Sequence, residues 1–301
     1  MKNFFIKLSI LCVLIVCIDL FVGKTLNFMQ SNAKGGMTYR DKFICNELET
    51  DILLCGSSRC IHHYNPQIIT DSLHLTCYNS GQDGNGIIMT YGRLEIIMDR
   101  MTPKAIVYDV IPEFDLLGGE DNHKYLTWLK PYYDHESIKN IFLSVDKTER
   151  FKMMSQMYRY NSHIIEVMAD FIHPIINAED NGYVKLEGEM DKLKIKESSP
   201  LPQNYIYDPL KLEYINKLID KTEGKLIFVV SPIWYGMDTT QIKPLMDICK
   251  QKGIPFLDFS NDSKYVHNDL YFKDGNHLNE RGADEFTRDL VGKINRDHLI
   301  H

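Results

Sequence analysis

The chain reads as an α/β fold, with a central parallel sheet of five strands covered by helices on both faces. Five short apolar runs recur along it, separated by stretches with helical periodicity. The runs are apolar at successive rather than alternate positions, as strands buried on both faces must be. One long interruption, at about 113–222, adds a large and mainly helical insertion between the third and fourth strands.

The chain opens on a targeting-type segment. Lys2 and Lys7 precede an apolar run over 8–22, broken only by Asp19. About 15 residues is short for a free-standing span but adequate for a signal anchor. Cys12 and Cys17 lack the preceding small residue that a lipoprotein site needs, and Ser31-Asn32-Ala33 lies far from the run for a cleavage site. Residues 1–23 are therefore expected to be a retained membrane anchor, with a cleaved signal as the alternative. Residues 24–47, mixed in polarity and broken at Gly35-Gly36, are expected to be a stalk, and 48–301 the folded domain. Lys24, Lys34, Arg40 and Lys42 follow the run, so charge alone does not orient it. An N-terminal segment of export type still places the body outside, periplasmic or extracellular.

The first strand, 51–55, ends at Gly56, and the second covers 73–78. An amphipathic helix over 86–101 sets Ile87, Ile88, Tyr91, Leu94, Ile97, Met98 and Met101 on one face and stops at Pro103. The third strand is 105–110, and the fourth, 225–230, is stopped by Ser231-Pro232. A helix over 239–250 leads to Gly253, the fifth strand is 255–259, and a closing helix covers 279–294. Within the insertion, 134–145 and 147–172 read as helices. Asn181-Gly182 is a turn, 182–196 alternates like an exposed hairpin, and 208–222 is a further helix. The insertion either caps the carboxyl edge of the sheet, where open parallel sheets bind ligands, or is a peripheral embellishment.

Composition excludes several classes. With 44% hydrophobic and 25% charged residues, the 301-residue chain is neither disordered nor polytopic. Its 41 acidic and 34 basic residues leave a net charge of −7, so no basic surplus exists to neutralise nucleic-acid phosphates. Of seven cysteines, Cys12 and Cys17 fall in the anchor, and the rest include no Cys-x-x-Cys pair. His62 and His63 show no metal-ligand spacing, and the glycine-rich stretch 82–86 lacks a phosphate-loop lysine. No metal and no cofactor is expected.

Two distant motifs carry the chemistry. One is Leu53-Leu54-Cys55-Gly56-Ser57-Ser58-Arg59, a strand running into a helix; the other is Asp274-Gly275-Asn276-His277-Leu278-Asn279-Glu280-Arg281-Gly282-Ala283, a loop running into the last helix. A serine hydroxyl is a weak nucleophile until a base removes its proton, and His277 suits that role near neutral pH. Asp274, three residues earlier, can fix the imidazole tautomer and stabilise the imidazolium. A serine at a helix N-terminus also meets a field that favours developing negative charge.

This pair resembles the blocks of the SGNH/GDSL hydrolases. Gly56-Ser57-Ser58 is similar to the nucleophile block, with Ser57 where that family usually has Asp, and Ser58 takes the nucleophile position. Asp274-x-x-His277, followed by Leu-Asn-x-x-Gly-Ala, is similar to the C-terminal block. The resemblance covers about 50–295, the insertion excepted. It implies a flavodoxin-like three-layer α/β/α sandwich and Ser-His-Asp catalysis through an acyl-enzyme. The chain looks most like the membrane-anchored branch that moves or removes acyl groups on envelope polymers. The expected activity is therefore a serine esterase or O-acyltransferase acting on an acylated glycan, most simply an O-acetyl ester. The alternative is a catalytically inactive glycan-binding or assembly protein.

The same family uses a glycine block and an asparagine block as oxyanion donors. Asn79-Ser80-Gly81-Gln82-Asp83-Gly84 stands where the glycine block should, which implies the Gly81 amide, or that of Gly84, beside the Ser58 amide. The asparagine is absent: Tyr108-Asp109-Val110-Ile111-Pro112-Glu113 follows the third strand. Such a loss is worth about 3 kcal/mol of transition-state stabilisation, and Asn161 in the insertion is the candidate replacement. Arg59 either binds an anionic substrate group or pairs with an acidic neighbour. Asp83 and Asp109 either line the rim or are buried structural carboxylates. Trp128, Tyr132, Tyr133, Trp234 and Tyr235 either stack on sugar rings or belong to the core. Glu280 reads as a first-turn helix charge rather than a catalytic acid.

Overall fold

A computed structural model of the chain describes residues 1–119, 122, 124–174, 181–190 and 205–300. Five strands form one sheet: β1 (Ile52–Gly56), β2 (Cys77–Asn79), β3 (Ala105–Asp109), β4 (Leu226–Val230) and β5 (Phe256–Asp258). Their order is β2-β1-β3-β4-β5 and every pairing is parallel. The register sets Gly56 opposite Asp109 and Asp109 opposite Val229, so the carboxyl ends of β1, β3 and β4 lie side by side. Helices cover both faces, which makes the domain a three-layer α/β/α sandwich.

The helices, in chain order, begin with α1 (Lys2–Ser31), α2 (Gly36–Asn46), α3 (Ser58–His63), α4 (Pro66–Leu73), α5 (Ile87–Met98) and α6 (Pro112–Asp115). They continue with α7 (Glu136–Val145), α8 (Glu149–Lys152), α9 (Ile164–Ile172), α10 (Pro209–Thr222), α11 (Lys243–Lys252) and α12 (Glu280–Arg296).

Two compact units result, one of Met1–Leu48, Glu95–Ile97 and Asn122–Ala178, the other of Glu49–Leu94, Met98–Asp121 and Glu179–His301. The second holds the sheet. On one face Ile52, Leu54, Val107, Ile227 and Val229 pack with Tyr64 and Ile69 and with Phe286, Leu290 and Ile294 of α12. Successive strand residues point to opposite faces. Leu53, Ile106, Tyr108 and Phe228 therefore face the other way, and they are just as deeply buried. Tyr108 there meets Thr90 of α5, and Tyr91 of α5 stacks edge-on with Tyr214 of α10 at 5.3 Å. Burial on both faces is why the strands are continuously apolar; each such Leu, Ile or Val contributes about 1.5–3 kcal/mol.

In the first unit α1 carries the apolar run. Residues 24–47, expected as a stalk, hold the end of α1 and all of α2, and Thr38, Ile44 and Cys45 are buried there. Leu26, Tyr160 and Val167 form a small core. The helix expected over 147–172 is broken into α8, a single turn at Tyr158–Tyr160, and α9, with Ser162 at φ +80° between the last two.

Other sequence expectations shift in the sheet unit. Leu73 ends α4 instead of opening a strand, because His74 adopts the left-handed conformation that closes the helix. The expected hairpin at 182–196 is irregular chain as far as 190, with Gly182 and Gly188 at positive φ, its remainder lying outside the described residues. Val184 N–H bonds Ile61 O and Glu280 N–H bonds Leu186 O, while Tyr183 and Met190 are buried in the core.

Candidate active site

Gly56 closes β1 at φ +143°, where a Cβ would lie 2.7 Å from the Asp109 carbonyl oxygen, so only glycine lets the strand turn this tightly into a helix. Ser57 is the N-cap residue and Ser58 is the first residue of α3. From the far end of the chain, residues 272–278 form a tight loop closed by an antiparallel bridge between Phe272 and Leu278 and by Lys273 N–H on His277 O at 2.8 Å. Phe272 and Leu278 are fully buried and fix the loop to the core. Asn279 then caps α12, accepting the Gly282 N–H at 2.9 Å, which accounts for the Asn-x-x-Gly that follows His277.

The loop holds its own acid. Asp274 Oδ1 accepts the backbone N–H of Asn276 at 2.8 Å and of His277 at 2.9 Å, and both carboxylate oxygens stand 3.0 Å from His277 Nδ1. Burial alone raises the Asp274 carboxyl; the His277 imidazole and those two N–H groups outweigh it and hold the group below its usual range. With the proton of the neutral ring on Nδ1, Nε2 offers a lone pair, and it lies 2.9 Å from Ser58 Oγ. Ser58, His277 and Asp274 thus form one hydrogen-bonded chain. The Ser58 and Arg59 N–H groups open α3, where a helix leaves its amides unpaired.

Two solved structures are similar to the chain over most of its length. One is a G-D-S-L-family protein from Desulfitobacterium hafniense DCB-2, 12% identical, with 81% of this chain and 99% of that one covered and a TM-score of 0.41. The other is the acetyl xylan esterase Est2A from the rumen bacterium Butyrivibrio proteoclasticus, 9% identical, with 83% and 64% covered and a TM-score of 0.38. No protein-family model and no curated protein matches the chain.

Beneath the three residues lies a layer that sequence reading missed. His63 is fully buried; its Nε2 accepts the Leu278 N–H at 3.0 Å, so its proton sits on Nδ1 and is donated to Ser231 Oγ at 2.9 Å. Burial, with repulsion from His277, Arg59 and His62, drives its pKa well below the usual imidazole value. His62 donates from Nδ1 to Val184 O at 2.6 Å and sets Nε2 3.4 Å from Asp83 Oδ1. Burial lowers the His62 pKa, but Asp83, the Val184 carbonyl and Asp274 together raise it above the ordinary value. Both rings stand edge-on to His277, at centroid distances of 5.7 Å and 6.2 Å. The sequence signal was their position one turn past Ser58; that the 272–278 loop arrives there was not legible.

Several expected roles change. The Gly81 N–H is buried and donated to Asn79 Oδ1 at 3.0 Å, so it is not offered to an oxyanion. Asn79 is itself clamped, its Nδ2 donating to Cys60 O and Tyr64 O. Gly84 is not among the residues that line the cavity at Ser58, and neither is Asn161, which belongs to the other unit and is exposed. Asp109 is 1% exposed and accepts the Tyr64 hydroxyl at 2.6 Å and the Ser231 N–H at 3.0 Å, with Arg59 Nε 3.6 Å away. Burial pushes its pKa up, against the pull of Arg59, Tyr64 and Ser231. Arg59 also donates to Val110 O. The pair is a buried brace across the ends of β1, β3 and β4, and Arg59 also lines the cavity beside Ser58.

The cavity beside Ser58 and His277 has a volume of about 860 Å³. Its lining is mixed, with Ile111, Phe114, Ile233 and Met237 apolar and Tyr205, Asp238, Gln241 and Asn261 polar. Tyr205 OH donates to Asp238 Oδ2 at 3.0 Å. Of the five aromatic residues considered for sugar stacking, Tyr235 lines this cavity. Trp234 packs against the core and donates to Asp269, Tyr132 donates to Asp41, Trp128 stacks on His163 and Tyr133 is buried. Glu280 pairs with Lys185 at 3.2 Å in the first turn of α12.

Proposed function

We propose that the chain is an SGNH-type serine esterase or O-acyltransferase that acts on acyl esters of a cell-envelope or extracellular glycan. One observation carries this reading: His277 Nε2 lies 2.9 Å from Ser58 Oγ while its Nδ1 is held by Asp274. In the first step Ser58 Oγ bonds to the ester carbonyl carbon as its proton passes to His277 Nε2. The negative oxygen of the tetrahedral intermediate meets the Ser58 N–H and the positive end of α3. Collapse breaks the bond to the alcohol, which leaves with the proton from His277, and an acyl-serine remains. Water or a sugar hydroxyl then gives its proton to His277 and attacks the acyl carbon, which regenerates Ser58. Asp274 stabilises the imidazolium in each half-reaction.

The cavity supports a substrate larger than a simple ester. Its volume lies in the range of small-molecule sites, and polar groups with Tyr235 among the lining residues suit a sugar ring. The motif resemblance supports an acylated glycan, most simply an O-acetyl ester. We read α1, which is long and apolar enough to cross a membrane, as an anchor that holds an exported catalytic domain at the envelope.

A second reading, a non-catalytic glycan-binding protein, draws on the engaged Gly81 amide and on Asp109 in place of an asparagine donor. Fluorophosphonate labelling separates the two. Covalent labelling of the full chain, lost in Ser58→Ala, supports catalysis; an unlabelled and folded wild type supports binding alone. Acyl-enzyme trapping followed by mass measurement then reports the acyl group.

A further inference from the structure

The first unit exposes apolar side chains beside α1. From Met1 to Ile18 every residue of the N-terminal helix is exposed. Asp19 is the exception in chemistry: its carboxylate accepts the Ser155 hydroxyl, the Gln156 N–H at 2.8 Å and the Met157 N–H at 3.1 Å. One turn on, Gly23 packs so closely on Gln156 that an added Cβ would stand 2.3 Å from the Gln156 Cβ. Residues 155–157 therefore clasp α1 at the level of Asp19 to Gly23. Around this clasp Phe151, Met154 and Met157 are 61%, 74% and 41% exposed, and the Arg150 guanidinium lies over the Phe151 ring at 4.4 Å.

Helix geometry sets the depth of the clasp. At 1.5 Å per residue, α1 rises about 26 Å from Lys2 to Asp19, less than the ~30 Å of a bilayer hydrocarbon core. A helix that spans from Lys2 reaches the far boundary near Val22, within the stretch from Asp19 to Gly23 that the clasp holds. A lone carboxylate at such a depth is costly, and here three donors satisfy it. At and near those donors in the chain, Phe151, Met154 and Met157 expose apolar side chains, and the Arg150 guanidinium over the Phe151 ring is positioned to snorkel.

We propose that residues 149–157 form a membrane-embedded collar around α1, with Phe151, Met154 and Met157 inserted into the interfacial layer of the bilayer that α1 crosses. The occupant of this surface is lipid. The inference rests on the reading of α1 as an anchor and is independent of the esterase chemistry.

The test uses the full chain in phosphatidylcholine–phosphatidylglycerol vesicles, with a tryptophan introduced singly as Val13→Trp, Phe151→Trp, Met154→Trp or Asn140→Trp. Asn140 is an exposed position on α7. Emission is compared with the wild type, which has two tryptophans, in lipids with and without brominated acyl chains. All four replaced positions are exposed, and circular dichroism checks that each variant folds. The expected result is strong quenching at 13, 151 and 154 and none at 140. Quenching at 13 with 151 and 154 no different from 140 overturns the collar and leaves the anchor standing. A position 151 that is blue-shifted but unquenched points to a protein partner and also overturns it. No quenching at 13 overturns the anchor, and the collar with it.

Discussion

His63 Nε2 accepts the backbone N–H of Leu278 at 3.0 Å. A buried imidazole on the helix that Ser58 opens therefore grips the residue that directly follows His277. The opposite nitrogen donates to Ser231 at the end of β4, so one ring ties together the sheet edge, α3 and the 272–278 loop. The arrangement works only while His63 is neutral, because a protonated ring has no lone pair for Leu278.

Replacing this ring should loosen His277 without touching the substrate. His63→Ala leaves the Leu278 N–H and the Ser231 hydroxyl unpaired beside a new void and should cost about 2–4 kcal/mol of stability. The expected catalytic effect is a fall in kcat with little change in KM, which steady-state kinetics on a small activated ester reads directly. His63→Gln, whose amide oxygen can accept the same N–H, should recover part of both. If kcat is unchanged in a folded His63→Ala protein, the positioning role is wrong.

The same residue predicts a pH effect on stability. Its folded pKa is depressed below the unfolded value of about 6.5, so the unfolded chain binds the proton more readily. Its contribution is complete above about pH 6.5 and is lost as pH falls through the window below, by up to about 1.4 kcal/mol per pH unit. Asp109 and Asp115 act oppositely over part of this range, since burial raises both carboxyls, Asp115 to about 7. The prediction therefore concerns the difference: the melting temperature of the wild type should fall more steeply from pH 7 to pH 5 than that of His63→Gln. Equal slopes would remove the assignment.

Asp274→Asn should separate charge from loop geometry. An asparagine oxygen can still accept the Asn276 and His277 N–H groups, so the turn should persist and stability should change by less than about 1 kcal/mol. The imidazolium loses its counter-charge and the tautomer is no longer fixed; the same change in serine-protease triads lowers kcat about 10⁴-fold. Turnover near the wild-type rate would mean that Asp274 has no catalytic part.

Asp109→Asn restores, on paper, the missing asparagine. The structure predicts the reverse of a gain. The new amide cannot neutralise Arg59, and a buried ion pair deprived of one charge costs about 3–5 kcal/mol. Thermal unfolding should show this loss, with no rise in kcat for any ester. A faster enzyme would show that the residue does reach the oxyanion.

Tyr235→Ala tests the sugar contact. KM for an acetylated oligosaccharide should rise up to about tenfold, in line with the ~1 kcal/mol of an aromatic contact, while p-nitrophenyl acetate should be hydrolysed with unchanged constants. Equal effects on the two substrates would argue against a glycan in this cavity.

The strands and both halves of the candidate site were legible because they are local. A strand buried on two faces must be apolar throughout, and an Asp-x-x-His turn folds on its own backbone bonds. Residues 73–76 and 182–190 misled for the matching reason: their pattern fits a strand, yet a left-handed His74 and a bond from Val184 to Ile61 decided otherwise. Asp109 and Gly81 stand where oxyanion groups were sought, and only packing showed that Arg59, Tyr64 and Asn79 already engage them.

The sequence by itself determined the layer architecture, the apolar N-terminal helix and the candidate serine, histidine and aspartate, since each follows from a short pattern of residue types. The tertiary structure alone decided that His277 reaches Ser58, that His63 bonds the neighbouring Leu278 and that Asp109 is buried. Those facts depend on which distant segments share a sheet edge, and free energy at such contacts comes from burial and partners that no local pattern records.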